Sequence, residues 1–357
     1  MAHNIWKTGL IRFAHLEVSG QPMRLATRSP SSRTILGRTL HKRITMTPST
    51  SWHKQIKGDV RLNEAMSQHT SLRIGGPADV FIQPRGLDDL RTVLRHRGEA
   101  PLFILGEGSN LLVSDRGIRG IVVSLKPGFK TIATPEFFVD EGGREAALLR
   151  VEAGVKMSYL VKFAAKYSLT GIEDLVGVPG SLGGALVMNA GAEATEISQV
   201  VETVTFVSPD GKTYTCGRDA IRFRYREAVF PKPGGIIVSA ELKLYRGNAA
   251  AIQGAIDRHL QRRAQKQPLS QPNSGSIFKN PPGDTAGRLI EAAGLKGYAE
   301  GKASISIKHA NFLINQGGAK AADALAVIRR VQEIVQDKFA VVLEPEVVIA
   351  GDWGSRS

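Results

Sequence analysis

The sequence predicts an α+β protein with a long central unit and a smaller C-terminal α/β unit joined near residue 247. Three observations carry this reading. Short apolar runs of strand length alternate with segments of helical spacing from Ala78 onward. Glycine-rich loops punctuate that alternation at strand-like ends. The chain has 357 residues, more than the roughly 100–150 of a typical single domain.

The elements follow in order. The ordered body is expected to begin near Gly58, giving units over residues 58–247 and 248–357 behind an extension over 1–57. Ala78-Asp79-Val80-Phe81-Ile82 reads as a strand, and Leu87, Leu90 and Leu94 share one face of a helix over 87–97. Leu102 to Leu105 is a strand entering Gly106-Glu107-Gly108-Ser109-Asn110, followed by strands at 111–113 and 121–125. A strand over 149–154 and a helix over 158–167 lead to a second glycine loop at 178–185. Strands over 200–207, 213–215 and 235–244 complete the central unit, with a turn at Asp210-Gly211. A helix over 249–265 precedes prolines Pro268 and Pro272. The C-terminal unit then reads as helix (285–293), strand (309–315), long helix (321–339) and strand (341–349).

The formal net charge is +14, and +9 of it sits in residues 1–57, where ten Lys/Arg face one acid, Glu17. A basic tail on a nearly balanced body does not read as a nucleic-acid surface. The tail is acid-poor and rich in Arg, Ser and Thr, like a transit peptide in composition. Disorder, or a start assigned too far upstream of Met46 or Met66, is the expectation kept for it. The body's modest excess suits an anionic small-molecule substrate. The single Cys216 excludes an internal disulfide framework and a cysteine-based metal site. No apolar run approaches the roughly 18–20 residues that span a bilayer, so no membrane insertion is expected. A cytoplasmic monomer is the working expectation.

Several segments are candidates for chemistry. In Gly106-Glu107-Gly108-Ser109-Asn110 the glycines let backbone N–H groups approach an anion, with Ser109 and Asn110 as added donors. Taken alone the segment is equally a tight turn. Gly180-Ser181-Leu182-Gly183-Gly184-Ala185 is denser, and two such loops in one unit favour a diphosphate-containing cofactor. Neither matches a dinucleotide-binding or Walker fingerprint. Ser71-Leu72-Arg73-Ile74-Gly75-Gly76 adds a third glycine corner. Ser276 sits in a loop shaped by Gly275 and Pro281, where a turn serine is the simpler alternative. Glu346 lies between Pro345 and an apolar run, where a carboxylate is costly to bury without a partner; an edge strand facing water is the alternative. On one strand Glu344 and Glu346 point the same way, and Arg222, Arg224 and Arg226 share a face suited to carboxylate or phosphate. His309 has no ligand-spaced partner, so no metal site is expected.

Taken in order, these motifs closely resemble the UDP-N-acetylenolpyruvoylglucosamine reductase family of bacterial cell-wall synthesis. The resemblance covers roughly residues 60–351. It runs from His69-Thr70-Ser71-Leu72-Arg73-Ile74-Gly75-Gly76 through Leu105-Gly106-Glu107-Gly108-Ser109-Asn110-Leu111 and Gly180-Ser181-Leu182-Gly183-Gly184-Ala185 to Met188-Asn189-Ala190-Gly191. It continues with Tyr225-Arg226, Gly275-Ser276-Ile277-Phe278-Lys279-Asn280-Pro281, His309-Ala310-Asn311-Phe312 and Leu343-Glu344-Pro345-Glu346.

The resemblance implies a vanillyl-alcohol-oxidase-type FAD-binding fold plus a smaller substrate-binding domain. It implies bound FAD, NADPH as co-substrate, and reduction of UDP-N-acetylglucosamine enolpyruvate to UDP-N-acetylmuramate in peptidoglycan precursor synthesis. By position, Ser276 resembles the family's proton donor, and Arg226 and Glu346 its other catalytic residues. Tyr225, Lys266 and Asn280 resemble substrate contacts, with Lys279 a further candidate for the phosphates. Gly75, Gly76, Leu105 to Leu111, Gly180, Ser181, Gly183, Gly184, Ala185 and Asn189 are the expected cofactor contacts. Ala228 departs from the pattern, which often has serine there. Few residues separate Lys243 from Arg262, so the chain resembles the branch that lacks an extra tyrosine-bearing loop. A flavin oxidase on the same fold, or a nucleotide- or nucleic-acid-binding protein without catalysis, are the competing classes. Ser276 and Glu346 argue against the first, the confinement of charge to the tail against the second.

Overall fold

The computed structural model describes residues 51–193 and 195–354. The tail over 1–50 therefore lies outside the described residues. Residues 51–57, expected to be part of a disordered extension, belong to the folded body. Trp52 is buried and stacks on His96 at 6.0 Å, and Ile56 joins the core. The buried carboxylate of Asp89 then accepts the backbone N–H groups of Lys57, Gly58 and Arg85 at 2.8–2.9 Å. Buried polar groups must be paired, and this one is paired by holding the Lys57-Gly58 and Arg85 backbone in place.

The first layer is a four-stranded sheet. Its strands are β1 (Asp59–Ala65), β2 (Pro77–Gln83), β3 (Leu102–Leu105) and β5 (Ile118–Ser124), in the order β1-β2-β5-β3. β4 (Leu111–Val113) leaves this sheet. β2, β3 and β5 run parallel, with helix α1 (Leu87–His96) as the crossover between β2 and β3. Parallel strands of one sheet need such a crossover, and Leu90, Val93 and Leu94 supply its buried face.

The second layer is antiparallel: β6 (Glu136–Val139), β7 (Glu145–Glu152), β8 (Leu169–Thr170), β11 (Val201–Val207), β12 (Thr213–Gly217) and β15 (Ile236–Arg246). Helices α2 (Met157–Lys166) and α3 (Leu182–Val187) pack with it, so the second glycine segment is a loop running into a helix. Two small hairpins project from this layer, β9 (Gly191–Ala192) with β10 (Thr195–Glu196) and β13 (Arg222–Arg224) with β14 (Glu227–Val229). The second corrects an expectation. Arg222 to Arg226 do not form one strand face, because the chain reverses at Tyr225-Arg226 and Arg226 takes a left-handed φ of 57°.

Helix α4 (Ala249–Lys266) follows β15 through Gly247 and Asn248 alone, so no inserted loop stands there. The Asn248 side chain accepts from the Ala251 N–H and starts the helix. Ile252 and Ile256 bury into the core shared with the antiparallel sheet. The C-terminal unit therefore starts after α4, near Gln267, and not at residue 248. It consists of β16 (Asn273–Ser276), α5 (Ala286–Ala292), β17 (Ala299–Glu300), β18 (Ala303–Ile305), β19 (Phe312–Asn315) and α6 (Ala321–Phe339). Its sheet has the order β16-β19-β18-β17. Its core takes in Leu72, Ile74 and Leu112 from the first unit.

The expected strand over 341–349 is mostly loop. Pro345 has no N–H to give to a ladder, and it makes only an isolated bridge with Phe278. Strand pairing resumes at β20 (Val348–Ala350), which runs parallel to β4. The chain end is thereby stitched to the first unit beside the first glycine loop. No helix among the described residues is long and apolar enough to cross a membrane.

Candidate active site

A cavity of about 1000 Å³ opens between the two sheets, α4 and the C-terminal unit. Both expected glycine loops form one of its walls, contributing Leu105 to Leu111, Gly180, Ser181, Gly183, Gly184 and Ala185. Their conformation needs glycine. Gly108 has φ 67°, and a Cβ there would lie 2.0 Å from the His69 carbonyl oxygen. A Cβ on Gly106 would meet the Ser181 Oγ at 3.0 Å, so the loops lie against each other.

The polar side chains of these loops have a different task from the one expected. Ser109 Oγ donates to the Pro179 carbonyl at 2.8 Å, tying one loop to the other. Asn110 Nδ2 donates to the Glu346 carbonyl at 2.9 Å, tying the loop to the C-terminal segment. What remains for a ligand is backbone. The N–H groups of Glu107, Gly108, Ser109 and Asn110 have no acceptor among the described residues. Glu107 adds a buried, unpartnered Oε1, while its Oε2 lies 3.4 Å from Lys126. Free N–H groups on a glycine-rich wall suit a diphosphate, and an unpartnered acceptor suits a hydroxyl or amine. Phe206, Val229 and Phe230 add apolar wall. The residues present therefore fit FAD.

One polar part of the cavity wall is built from three segments distant in sequence. Ser276 ends β16, beside Gly275 with φ 74°, and its Oγ makes no hydrogen bond among the described residues. The Glu346 N–H donates to the Ile277 carbonyl at 2.8 Å, which sets Glu346 directly beside that serine strand. Arg226 Nε approaches Glu346 Oε1 to 3.0 Å. Its N–H is not aligned on that oxygen and finds no other acceptor, so the contact is an ion pair without a directed hydrogen bond. Both side chains are about four-fifths buried, at 21% and 17% exposure. All three line the cavity. Ser274, whose buried Oγ is also unpartnered, lines it beside them.

Burial pushes the Glu346 carboxyl above its ordinary range, while the Arg226 and Lys279 charges pull it back down. The folded chain then holds a proton that the unfolded chain releases near the ordinary value of 4.5. Stability from this group is full below that pH and is lost as pH rises through the raised value. Glu346→Gln cannot titrate. Relative to it, the parent protein is expected to lose stability from acid to neutral pH, measured by urea unfolding of both proteins across that range. A difference that does not vary with pH would contradict the burial effect.

Gly75, Gly76, Asn189, Tyr225 and Asn280, also expected contacts, are not among the residues that line the cavity. Gly75 and Gly76 lie outside the cavity wall. A Cβ on Gly75 would strike Val113 and Met66, and one on Gly76 the Asp115 carbonyl, so this corner is needed for backbone packing. Ser71 Oγ donates to the Asn273 carbonyl at 2.6 Å and Asn315 Nδ2 to the Leu72 carbonyl at 3.0 Å, which docks the corner onto the C-terminal unit. Asn189 is buried behind the wall. Tyr225 is half exposed, its ring 5.0 Å from the Arg226 guanidinium. Asn280 accepts from the Ala286 N–H at 3.1 Å, in the first turn of α5, whose N-cap is Thr285. Glu344 pairs with Lys279 at 2.7 Å and is largely exposed.

The helix α4 face was only partly read from sequence. His259, Arg262, Arg263 and Lys266, spaced as one helical face, line the cavity. His259 pairs with Asp174 at 2.7 Å and Arg262 with Glu193 at 2.8 Å. Arg263 and Lys266 have no acidic partner among the described residues, and burial lowers the Arg263 pKa. Helical periodicity in 249–266 was the available signal. His309 also lines the cavity, and no group able to hold a metal is found among the described residues.

Comparison with known proteins agrees with this architecture. Residues 78–217 match the model of the FAD binding domain. Residues 267–350 match that of the UDP-N-acetylenolpyruvoylglucosamine reductase C-terminal domain, which starts where α4 ends. A UDP-N-acetylenolpyruvoylglucosamine reductase of Caldanaerobacter subterraneus subsp. tengcongensis is 42% identical over 298 residues, 83% of this chain and 95% of that one. One of Clostridioides difficile is 39% identical with the same coverage. A crystal structure of the reductase from Thermus caldophilus is similar with a TM-score of 0.68 and 34% identity, over 82% of this chain and 99% of that one.

Proposed function

The chain belongs to the UDP-N-acetylenolpyruvoylglucosamine reductase family, and on that premise we propose that it reduces UDP-N-acetylglucosamine enolpyruvate to UDP-N-acetylmuramate, with FAD bound and NADPH as co-substrate. The observation that carries the proposal is the meeting of Ser276, Arg226 and Glu346 at one end of a cavity walled by the two glycine loops. FAD, when bound, supplies the hydride that NADPH provides. The chain's own residues supply the rest. The Arg226 guanidinium grips the enolpyruvyl carboxylate and stabilises the negative charge that develops beside it. The Ser276 hydroxyl, free of protein partners, gives a proton to the carbon next to that carboxylate. A hydroxyl is a weak acid, but the enolate-like acceptor is a strong base and the two are held close. Glu346 orients Arg226 and sits against the serine strand. Lys266 and Arg263 face the nucleotide diphosphate, as cations without an internal acid partner. We place the reaction in the cytoplasm, performed by a monomer acting on small molecules and neither nucleic acid nor membrane.

The test is NADPH oxidation by purified, flavin-loaded protein. Rapid oxidation that requires UDP-N-acetylglucosamine enolpyruvate is the expected result. Protein that cannot take up FAD, or oxidation indifferent to the sugar nucleotide, would overturn the proposal.

A further inference from the structure

Asn189 was expected to touch the cofactor. Instead it is 1% exposed, absent from the cavity wall, and hydrogen-bonded at both ends of its amide. Its Nδ2 donates to Glu196 Oε2 at 2.7 Å and to the Arg224 carbonyl at 3.0 Å. Its Oδ1 accepts from the Ser198 N–H at 3.3 Å. Arg224 is the last residue of β13, immediately before the turn that carries Arg226. A lone two-stranded hairpin is marginal by itself, so the direction of its tip depends on what its strand ends dock against. The tip is also strained, since Arg226 is left-handed, and such a conformation persists only when its surroundings over-determine it. Two residues on from Asn189, a Cβ on Gly191 would stand 3.3 Å from Arg226 Nη1 and 2.9 Å from Glu196 Cγ. One short segment thus anchors the base of the Arg226 turn and forms the floor under its guanidinium.

We infer that Asn189 and Glu196 are positioning residues that aim Arg226 at the reacting end of the cavity. The inference rests on the role proposed above for Arg226. Asn189→Asp keeps the side chain's shape but replaces the donating nitrogen with an oxygen, which faces the Glu196 carboxylate and the Arg224 carbonyl. In flavin-loaded enzyme, FAD affinity and the rate of flavin reduction by NADPH are expected to be unchanged. The second half-reaction, with UDP-N-acetylglucosamine enolpyruvate, is expected to fall roughly 100-fold, the scale of an ångström's misplacement. The acid–base inflection that Glu346 contributes to its pH profile should move to higher pH, because a displaced Arg226 no longer holds it down. Glu196→Gln retains an acceptor for Asn189 and is expected to preserve most of the rate that Glu196→Ala loses. That pair carries the test with the same readouts if Asn189→Asp does not fold.

A folded Asn189→Asp with an unchanged second half-reaction overturns the inference. So does loss of FAD affinity without movement of the inflection, which would return Asn189 to the cofactor. Arg226→Ala separates the two levels. If it too leaves the second half-reaction intact, the role of Arg226 has failed. If it slows that step and the Asn189 and Glu196 variants do not, only the positioning inference has failed.

Discussion

Ser276→Ala is expected to accept reducing equivalents from NADPH at the parent rate and then to stall. The second half-reaction should slow by roughly 10²–10⁴-fold, the usual contribution of a positioned proton donor. The expectation follows from geometry. Ser276 ends β16 at the cavity with its hydroxyl uncommitted, next to the segment that holds Glu346. Deleting one oxygen from a half-buried strand end leaves the backbone pairing of β16 with β19 in place, so folding should be little affected. Stopped-flow absorbance at the flavin band separates the two half-reactions. If both remain fast, the proton comes from elsewhere, and the uncommitted hydroxyl is only a surface of the cavity.

Arg226→Ala is expected to lower kcat/KM by at least about 10²–10³-fold, the cost of removing a group that stabilises charge in the transition state. Two effects act together. The enolpyruvyl carboxylate loses its fork-shaped partner, and Glu346 is left buried without the cation at 3.0 Å. Arg226→Lys keeps the charge but not the planar fork, and should recover only part of the loss. Measuring kcat and KM separately discriminates the roles. A rise in KM with kcat unchanged would mean that Arg226 only binds substrate and does not assist the reaction.

Much of the fold was legible because it rests on local signals. The β2-α1-β3 progression followed from apolar runs around the Leu87, Leu90 and Leu94 face, and the helices over 249–266 and 321–339 from their spacing. Both glycine loops were found where the cavity has its backbone wall. Failures came where a local rule met a non-local partner. Arg222 to Arg226 alternate as a strand should, yet Asn189 and the β14 pairing fold that stretch into a hairpin. Residues 341–349 are apolar enough for a strand, yet Pro345 breaks the ladder and only Val348 to Ala350 find a partner, in β4. For Gly75 and Gly76 the resemblance implied cofactor contacts, while glycine alone signals close approach without saying of what. Here the close neighbours are Val113 and the Asp115 carbonyl.

The sequence by itself determined the α+β class, the strand-end glycine loops, the absence of a cysteine framework and, through ordered motifs, the family and its three catalytic candidates. Those are properties of residue type and spacing. Only the tertiary structure decided which side chains meet. It paired Glu346 with Arg226 and Glu344 with Lys279, although only Pro345 separates the two acids. It gave Asn110 to the Glu346 backbone and Asn189 to the Arg226 hairpin. The physical reason is that burial and ion pairing depend on contacts between segments far apart along the chain, from 35 residues for Asn189 and Arg224 to 236 for Asn110 and Glu346. Residue spacing along the chain carries no record of those distances.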